Sequence, residues 1–251
     1  MPDSISSPSS LSFSSSHSSE FVANCAVVLL SGGLDSTVAL AEVLSQKPVA
    51  CALTFDYGQR AVKNELKAAQ AIAAHYQIAH RVIALPWISE LLPTALTPAA
   101  VLKAQGIQEQ KAETDAALYD VNRVWVPNRN GLFLNIGACF AEALKANTLV
   151  FGANAEEGVD FPDNTPAFRD KLSEVFAFST LTGVQVETPV GELNKIQIIE
   201  RGLSLKVPFH LIWSCYEETE TQCGACPSCI RVKNAQRQVE AQTATSVGIA
   251  F

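Results

Sequence analysis

An alternation constrains the fold of this chain more than any other feature. Five short apolar runs, at residues 25–30, 49–55, 81–85, 148–151 and 184–187, read as strands. Segments 34–44, 61–75, 131–145, 167–181 and 195–206 carry apolar residues at helical spacing and read as helices. The first pair is the clearest. An apolar run from Cys25 to Leu30 stops at Ser31-Gly32-Gly33, and then Leu34, Val38, Ala41 and Leu44 recur with the period of one helix face. Strands that alternate with helices predict an α/β fold, with a parallel sheet wrapped by helices.

Two stretches break the rhythm. Residues 86–125 carry Pro86, Pro93 and Pro98 and predict a long excursion with little strand, a lid or an arm. Residues 206–251 hold a cysteine cluster followed by a short helical pattern over 230–241 and predict a small metal-stapled unit. At the other end, residues 1–20 contain eleven serines and no Lys or Arg, so they lack the basic and apolar regions of a secretory signal. Residues 1–22 are therefore expected to be a disordered tail, with His17 solvated, and 23–205 the main domain.

A 251-residue chain that is 48% hydrophobic can bury about 70–75% of its unfolded surface and needs no disulfide framework. Its apolar runs fall far short of the ~20 residues that cross a bilayer, so no membrane partner is expected. Eighteen basic residues against twenty-five acidic ones give −7, and the cations are spread along the chain. Nucleic-acid backbones are held by clustered cations, so a small-molecule partner is expected instead. Four of the seven cysteines, Cys215, Cys223, Cys226 and Cys229, crowd into fifteen residues. Cys25, Cys51 and Cys139 stand among apolar neighbours and predict buried free thiols, a pattern suited to the reducing cytoplasm.

The chemistry begins at residues 31–37, Ser-Gly-Gly-Leu-Asp-Ser-Thr, where the first strand turns into the first helix. Glycines that let an anion approach the backbone, hydroxyls, and the positive end of a helix make an anion cradle there. The segment has neither the Lys of a Walker A loop nor the G-x-G-x-x-G spacing of dinucleotide folds. It resembles the S-G-G-x-D-S signature of the PP-loop ATP pyrophosphatases. Residues 54–60, Thr-Phe-Asp-Tyr-Gly-Gln-Arg, close the second strand. They resemble the corresponding segment of the 7-cyano-7-deazaguanine synthase family, nitrile-forming ligases of the queuosine pathway. The spacing Cys215-x7-Cys223-x2-Cys226-x2-Cys229 suits a structural zinc site with four thiolates and no open position, and that family carries a similar C-terminal quartet. His210 is expected to be a core residue or to lie behind the metal ligands. Glu217, Glu218 and Glu220 are expected in a solvated loop, and His75 and His80 in structural roles.

The resemblance runs from about Cys25 to Arg237. It implies a Rossmann-like open parallel sheet of the adenine nucleotide alpha hydrolase type with a small zinc-binding C-terminal unit. It further implies an ATP-dependent carbon–nitrogen ligase acting on 7-carboxy-7-deazaguanine and ammonia, with Mg2+, as a homodimer. Leu30, Ser31, Gly32, Gly33, Leu34, Asp35, Ser36 and Thr37 would hold ATP, with Asp35 toward Mg2+ or the nucleotide and the hydroxyls toward phosphates. Arg129, in Val-Pro-Asn-Arg-Asn at a helix start, would meet a phosphate or carboxylate. Asn128 replaces the family's usual glycine there and still tolerates a left-handed backbone. Lys195 would meet the phosphates or the adenylate. Tyr57, Arg60, Glu157 and Asp163 would contact the deazapurine, with Glu157 and Asp163 accepting from its N–H edge. Asn164 and Thr165 stand where many members have Cys and Arg, a departure that fits a subgroup with F-P-D-N-T-P. From the residues alone, two other readings stay open: a tRNA-thiolating PP-loop enzyme, and a relative with an altered acceptor or a docking role.

Overall fold

The computed structural model describes residues 24–98 and 124–250. The expected tail at 1–22 lies outside the described residues, as does most of the 86–125 excursion. Five strands form one parallel sheet: β1 (Ala26–Leu29), β2 (Val49–Asp56), β3 (His80–Ala84), β4 (Thr148–Val150) and β5 (Gln185–Glu187), in the order β3-β2-β1-β4-β5. The helices are α1 (Leu34–Leu44), α2 (Val62–His75), α3 (Trp87–Leu91), α4 (Arg129–Ala143), α5 (Glu157–Asp160), α6 (Pro166–Ser179), α7 (Lys195–Ser204) and α8 (Pro227–Thr243).

The two faces of β1 show why this sequence makes three layers. Side chains alternate across a strand. Ala26 and Val28 pack into one core with α1, α2, α7 and α8, whereas Val27 and Leu29 pack into another with α4 and α6. Both cores need apolar residues, so β1 reads as an unbroken apolar run rather than an alternating one. Val28 pairs with Ala52 of β2 and with Val150 of β4, which places β1 at the centre of the sheet. Residues 206–250 share this framework: Val207, Phe209, Val232, Val239, Val247 and Ile249 belong to the same core as α1 and α7.

Strand order reverses between β1 and β4, because the chain moves from β1 out to β3 and then returns to the other side. Loops after neighbouring strands diverge at such a point and leave a crevice beyond the carboxyl ends. The loop after β1 is residues 31–33, and the segment after β4 begins at Gly152.

The structure corrects three expectations. His210 is exposed within a single 3-10 turn rather than buried in a core or behind the cysteines. Cys139 is exposed because it falls on the outer side of α4, whereas Cys25 and Cys51 are buried as expected. The acidic loop after Cys215 is not simply solvated: Glu217 pairs with Arg60 at 3.1 Å and Glu218 with Lys63 at 2.5 Å.

Candidate active site

Chain direction and close packing build the anion cradle. Gly32 has φ +82°, and a Cβ there would stand 2.9 Å from Ala68 Cβ, Ala69 N and Glu65 O, so the turn is pressed against α2. Gly33 is the N-cap of α1 and has no side chain to cap it. The Ser31 hydroxyl accepts from Gly33 N at 3.2 Å and lies 2.9 Å from the Ser36 hydroxyl. The N–H groups of Asp35 and Ser36 meet no acceptor among the described residues. Two free donors at the positive end of a helix suit an anion. From the other side Gly152 closes over this turn, where a Cβ would come within 2.6 Å of Ser36 N.

A charged cluster lies beside the cradle. Lys195 is the first residue of α7, which begins with a capping box between Asn194 and Gln197. Its backbone N–H donates to Glu156 Oε1 at 2.9 Å, and its ammonium donates to Asp35 Oδ2 and, at 3.2 Å, to Glu157 Oε1. Asn154, fully buried, completes the ring: its amide donates to Asp35 Oδ2 at 3.2 Å and accepts from Glu157 N at 3.0 Å. Burial weakens the Lys195 ammonium, but the two carboxylates outweigh it and hold its pKa above the ordinary lysine value. Burial pushes the Asp35 carboxyl up, Lys195 pulls it down and Glu157 pushes it up again, for a net rise. Glu157 is pushed up by burial, yet Lys195 and Asn154 outweigh this and its pKa is lowered. One ammonium thus serves two carboxylates, and Asp35 Oδ1 is buried with no hydrogen-bond partner among the described residues. An unpaired oxygen on a carboxylate beside an anion cradle fits a hard divalent cation such as Mg2+.

The opposite wall comes from scattered elements. Asn128 takes the left-handed conformation (φ 57°) that the sequence suggested, and Arg129 is the first residue of α4. Arg129 donates to the Tyr57 hydroxyl at 3.4 Å, and burial raises the pKa of that phenol, so it stays protonated. Asp163 accepts from Asn130 N at 3.2 Å; burial raises its pKa while Arg129 opposes the rise. Phe55 stacks on Phe133 with centroids 4.0 Å apart, and Trp125 stacks on Phe161 at 5.7 Å.

Cradle and wall line one cleft of about 270 Å³. Of the expected ATP-loop residues, Leu30, Ser31, Gly33, Leu34, Asp35 and Ser36 line it; Gly32 packs on α2, and the buried Thr37 hydroxyl donates to Gly33 O at 2.7 Å. Arg129, Lys195, Tyr57, Arg60, Glu157 and Asp163 all line it. The Arg60 guanidinium also donates to Glu217 and to Thr97 O at 3.3 Å, which ties it into the protein. Asn164 and Thr165 have structural tasks: the Asn164 side chain meets Asn130 at 3.4 Å, and Thr165 is the N-cap of α6, accepting from Phe168 N at 3.2 Å.

The sequence reading missed Trp125, Phe133, Phe161, Glu65, Tyr216 and Arg231, which line the cleft, and Asn154, which orients its carboxylates. Asn154 had one available signal, a buried-strand run ending in Gly-Ala-Asn; the others carry no local pattern.

The four cysteines converge as a group. Their sulfurs all lie within 4.8 Å of one another, and Cys223 Sγ is 3.9 Å from Cys229 Sγ. Sulfurs bound to one zinc at ~2.3 Å in a tetrahedron stand roughly 3.8 Å apart, so the residues fit the metal. Backbone N–H groups point at the sulfurs, from Cys226 to Cys223 at 3.3 Å and from Glu217 and Cys223 to Cys215 at 3.4 Å. The clustered sulfurs act on one another: bonds from Cys226 and Cys229 hold the Cys215 thiol far below its usual range, and the bond to Cys215 pushes Cys226 up. A dication would let all four ionise.

Comparison with known proteins bears on the same residues. The family model for Queuosine biosynthesis protein QueC matches residues 25–240. A 7-cyano-7-deazaguanine synthase of Pelotomaculum thermopropionicum is 46% identical over 84% of this chain and 96% of its own. One from Desulforamulus reducens is 46% identical over 83% of this chain and 92% of its own. A solved 4-thiouridine synthetase–RNA complex with bound ATP aligns with 88% of this chain and 50% of its own at a TM-score of 0.44 and 16% identity, too distant to carry an argument.

Proposed function

The chain belongs to the Queuosine biosynthesis protein QueC family, and on that premise we propose that it is an ATP-dependent ligase that converts 7-carboxy-7-deazaguanine and ammonia to 7-cyano-7-deazaguanine. One observation carries the reading at the level of residues: a backbone-built anion cradle and a wall of carboxylates and aromatic rings share one cleft at the switch point between β1 and β4. Two substrates held there react as neighbours rather than by collision.

In this reading the free N–H groups at the start of α1, with Ser31 and Ser36, hold the pyrophosphate of ATP. Asp35, through its unpartnered Oδ1, would hold Mg2+, which would supply charge neutralisation for the leaving pyrophosphate. Lys195, protonated at neutral pH, keeps Asp35 and Glu157 in place and presents its charge to the phosphates. The acid's carboxylate oxygen attacks the α-phosphorus, and pyrophosphate leaves. Ammonia then adds to the acyl carbon and AMP leaves, giving the amide. A second ATP activates the amide oxygen in the same way, and loss of AMP with the remaining N–H protons forms the C≡N bond. Asp163 and Glu157 accept from the N–H edge of the deazapurine, while Trp125, Phe133 and Phe161 pack on its ring. Positioning and preorganised donors supply the rate, since no side chain is needed as a covalent nucleophile.

The cysteine quartet holds zinc as a structural site, with all four positions filled by protein. Four cysteines given to a metal, with Cys25, Cys51 and Cys139 left outside any disulfide, fit a reducing compartment, the cytoplasm. A homodimer belongs to the same reading, and light scattering checks it.

The direct test incubates the purified protein with Mg-ATP, ammonium and 7-carboxy-7-deazaguanine and follows product mass, AMP and pyrophosphate. Nitrile with two AMP is the expected result. AMP without nitrile, or turnover that appears only when tRNA is added, overturns it.

A further inference from the structure

The phosphate loop is not self-sufficient. Gly33, the N-cap of α1, offers no side chain, so the first N–H of the helix needs an acceptor from elsewhere. That acceptor is Ser214: Leu34 N donates to Ser214 Oγ at 3.3 Å, across 180 residues of sequence. Next to it, Trp213 N donates to Gly32 O at 2.9 Å and fixes the carbonyl of the glycine whose left-handed backbone makes the turn. Segment 213–214 therefore grips the loop on both sides of Gly33.

The same segment leads straight into the cysteine quartet, since Cys215 follows Ser214. A second link reinforces the first. Ser214 N donates to Gln222 Oε1 at 2.8 Å, and Gln222 immediately precedes Cys223. Gln222 is buried, and its amide nitrogen donates to Ala250 O at 2.9 Å and Ile212 O at 3.3 Å, so it has little freedom to turn away. The indole of Trp213 donates to Cys215 O at 3.1 Å. Each residue that holds the loop is thus fixed by a residue that is, or adjoins, a cysteine of the quartet.

We propose that the metal knuckle is the shaping element of the phosphate loop: Ser214 and Trp213 are positioning residues through which zinc at the cysteines and a nucleotide phosphate at the loop favour each other's binding. The physical cause is shared ordering. A metal that fixes Cys215 and Cys223 fixes Ser214 and Gln222. With Leu34 N occupied by Ser214, the N–H groups of Asp35 and Ser36 stay aimed at the anion. Such a coupling is reciprocal, so the nucleotide must tighten zinc by the factor with which zinc tightens the nucleotide. The proposal rests on residues 30–37 being the ATP site.

The test uses the full zinc-loaded chain and measures Mg-ATP binding by calorimetry with no acid substrate present. Ser214→Ala is expected to weaken Mg-ATP about five- to tenfold, the size of a lost helix cap, with zinc still stoichiometric. Ser214→Thr should recover most of the loss. In a second measurement a chelator competes for zinc with and without saturating Mg-ATP. The nucleotide should slow zinc loss from the unaltered protein and have little effect on Ser214→Ala. Unchanged ATP affinity in a zinc-loaded Ser214→Ala, or zinc loss from the unaltered protein indifferent to ATP, overturns the coupling alone. Failure of the unaltered protein to bind Mg-ATP at all overturns the ATP reading, and the coupling with it.

Discussion

The two sides of the cleft are built on different principles. The cradle is main chain: a left-handed glycine, the free N–H groups of Asp35 and Ser36, and Gly152 folded tightly over them. The facing wall is side chain: Tyr57 follows β2, Arg129 and Phe133 come from α4, Glu157 from α5, and Trp125 and Phe161 from connecting segments. A backbone site demands particular residues at consecutive positions because each φ, ψ and Cβ matters. A side-chain wall demands only that the right groups arrive in the same place. The cradle should therefore fail through geometry and the wall through lost contacts.

Lys195 is where this contrast is most easily broken, because its ammonium joins Asp35 on the cradle side to Glu157 on the wall side. Removing one partner of a buried ion cluster leaves charge uncompensated and costs about 3–5 kcal/mol. Lys195→Met should lower stability by that order and abolish ATP-dependent turnover, by urea denaturation and AMP release. Adding Asp35→Asn and Glu157→Gln should return the stability but not the turnover. If Lys195→Met keeps full stability, the cluster does not join the two sides.

Gly152→Ala sharpens the contrast from the cradle side. The new Cβ would collide with backbone at 2.6 Å, which cannot swing aside as a side-chain tip can. Overpacking costs typically 1–3 kcal/mol, and the strain falls on the N–H groups proposed to receive phosphate, so KM for ATP should rise several-fold while KM for the acid changes little. Trp125→Ala probes the wall and should do the reverse. It removes the ring stacked on Phe161, raises KM for the acid by about tenfold and leaves ATP affinity alone.

This division also decided what could be read from the sequence. Residues 31–37 were legible because a backbone site writes itself into consecutive letters, and the cysteine quartet because thiolate ligands have fixed short spacings. The sheet was legible because strands covered on both faces become uninterrupted apolar runs, as β1 shows. Trp125, Phe133 and Phe161 were not, since an aromatic residue in a cleft looks the same in sequence as one in a core. Ser214 was invisible as a cap because its helix begins 180 residues earlier. Helix α8 starts at Pro227 rather than near residue 230, with Cys226 as its N-cap, because a cysteine read as a metal ligand hides its second task. Helices α3 and α5 are too short to show a helical period, at five and four residues.

Asp163 gives the smallest effect and the most specific one. Its carboxyl is buried and its pKa lies above the ordinary aspartate value, with burial as the main cause and Arg129 opposing it. A carboxylate whose folded pKa is raised destabilises the fold wherever it is ionised. That cost is present above the folded pKa and vanishes as pH falls below the unfolded value near 3.9. Asp163→Asn keeps an oxygen for Asn130 N, gives up the long 3.4 Å bond that Asn164 Nδ2 donates to Oδ1, and removes the buried charge. Near pH 7 the variant should be slightly more stable, by about 1 kcal/mol at most, a Tm rise of roughly 2–4 °C, and the gain should shrink toward zero as pH falls below about 4. Substrate affinity should move the other way, because a neutral amide accepts more weakly from an N–H edge than a carboxylate does. A variant less stable than the parent at pH 7 would mean that the carboxylate holds the wall together rather than waiting for the deazapurine.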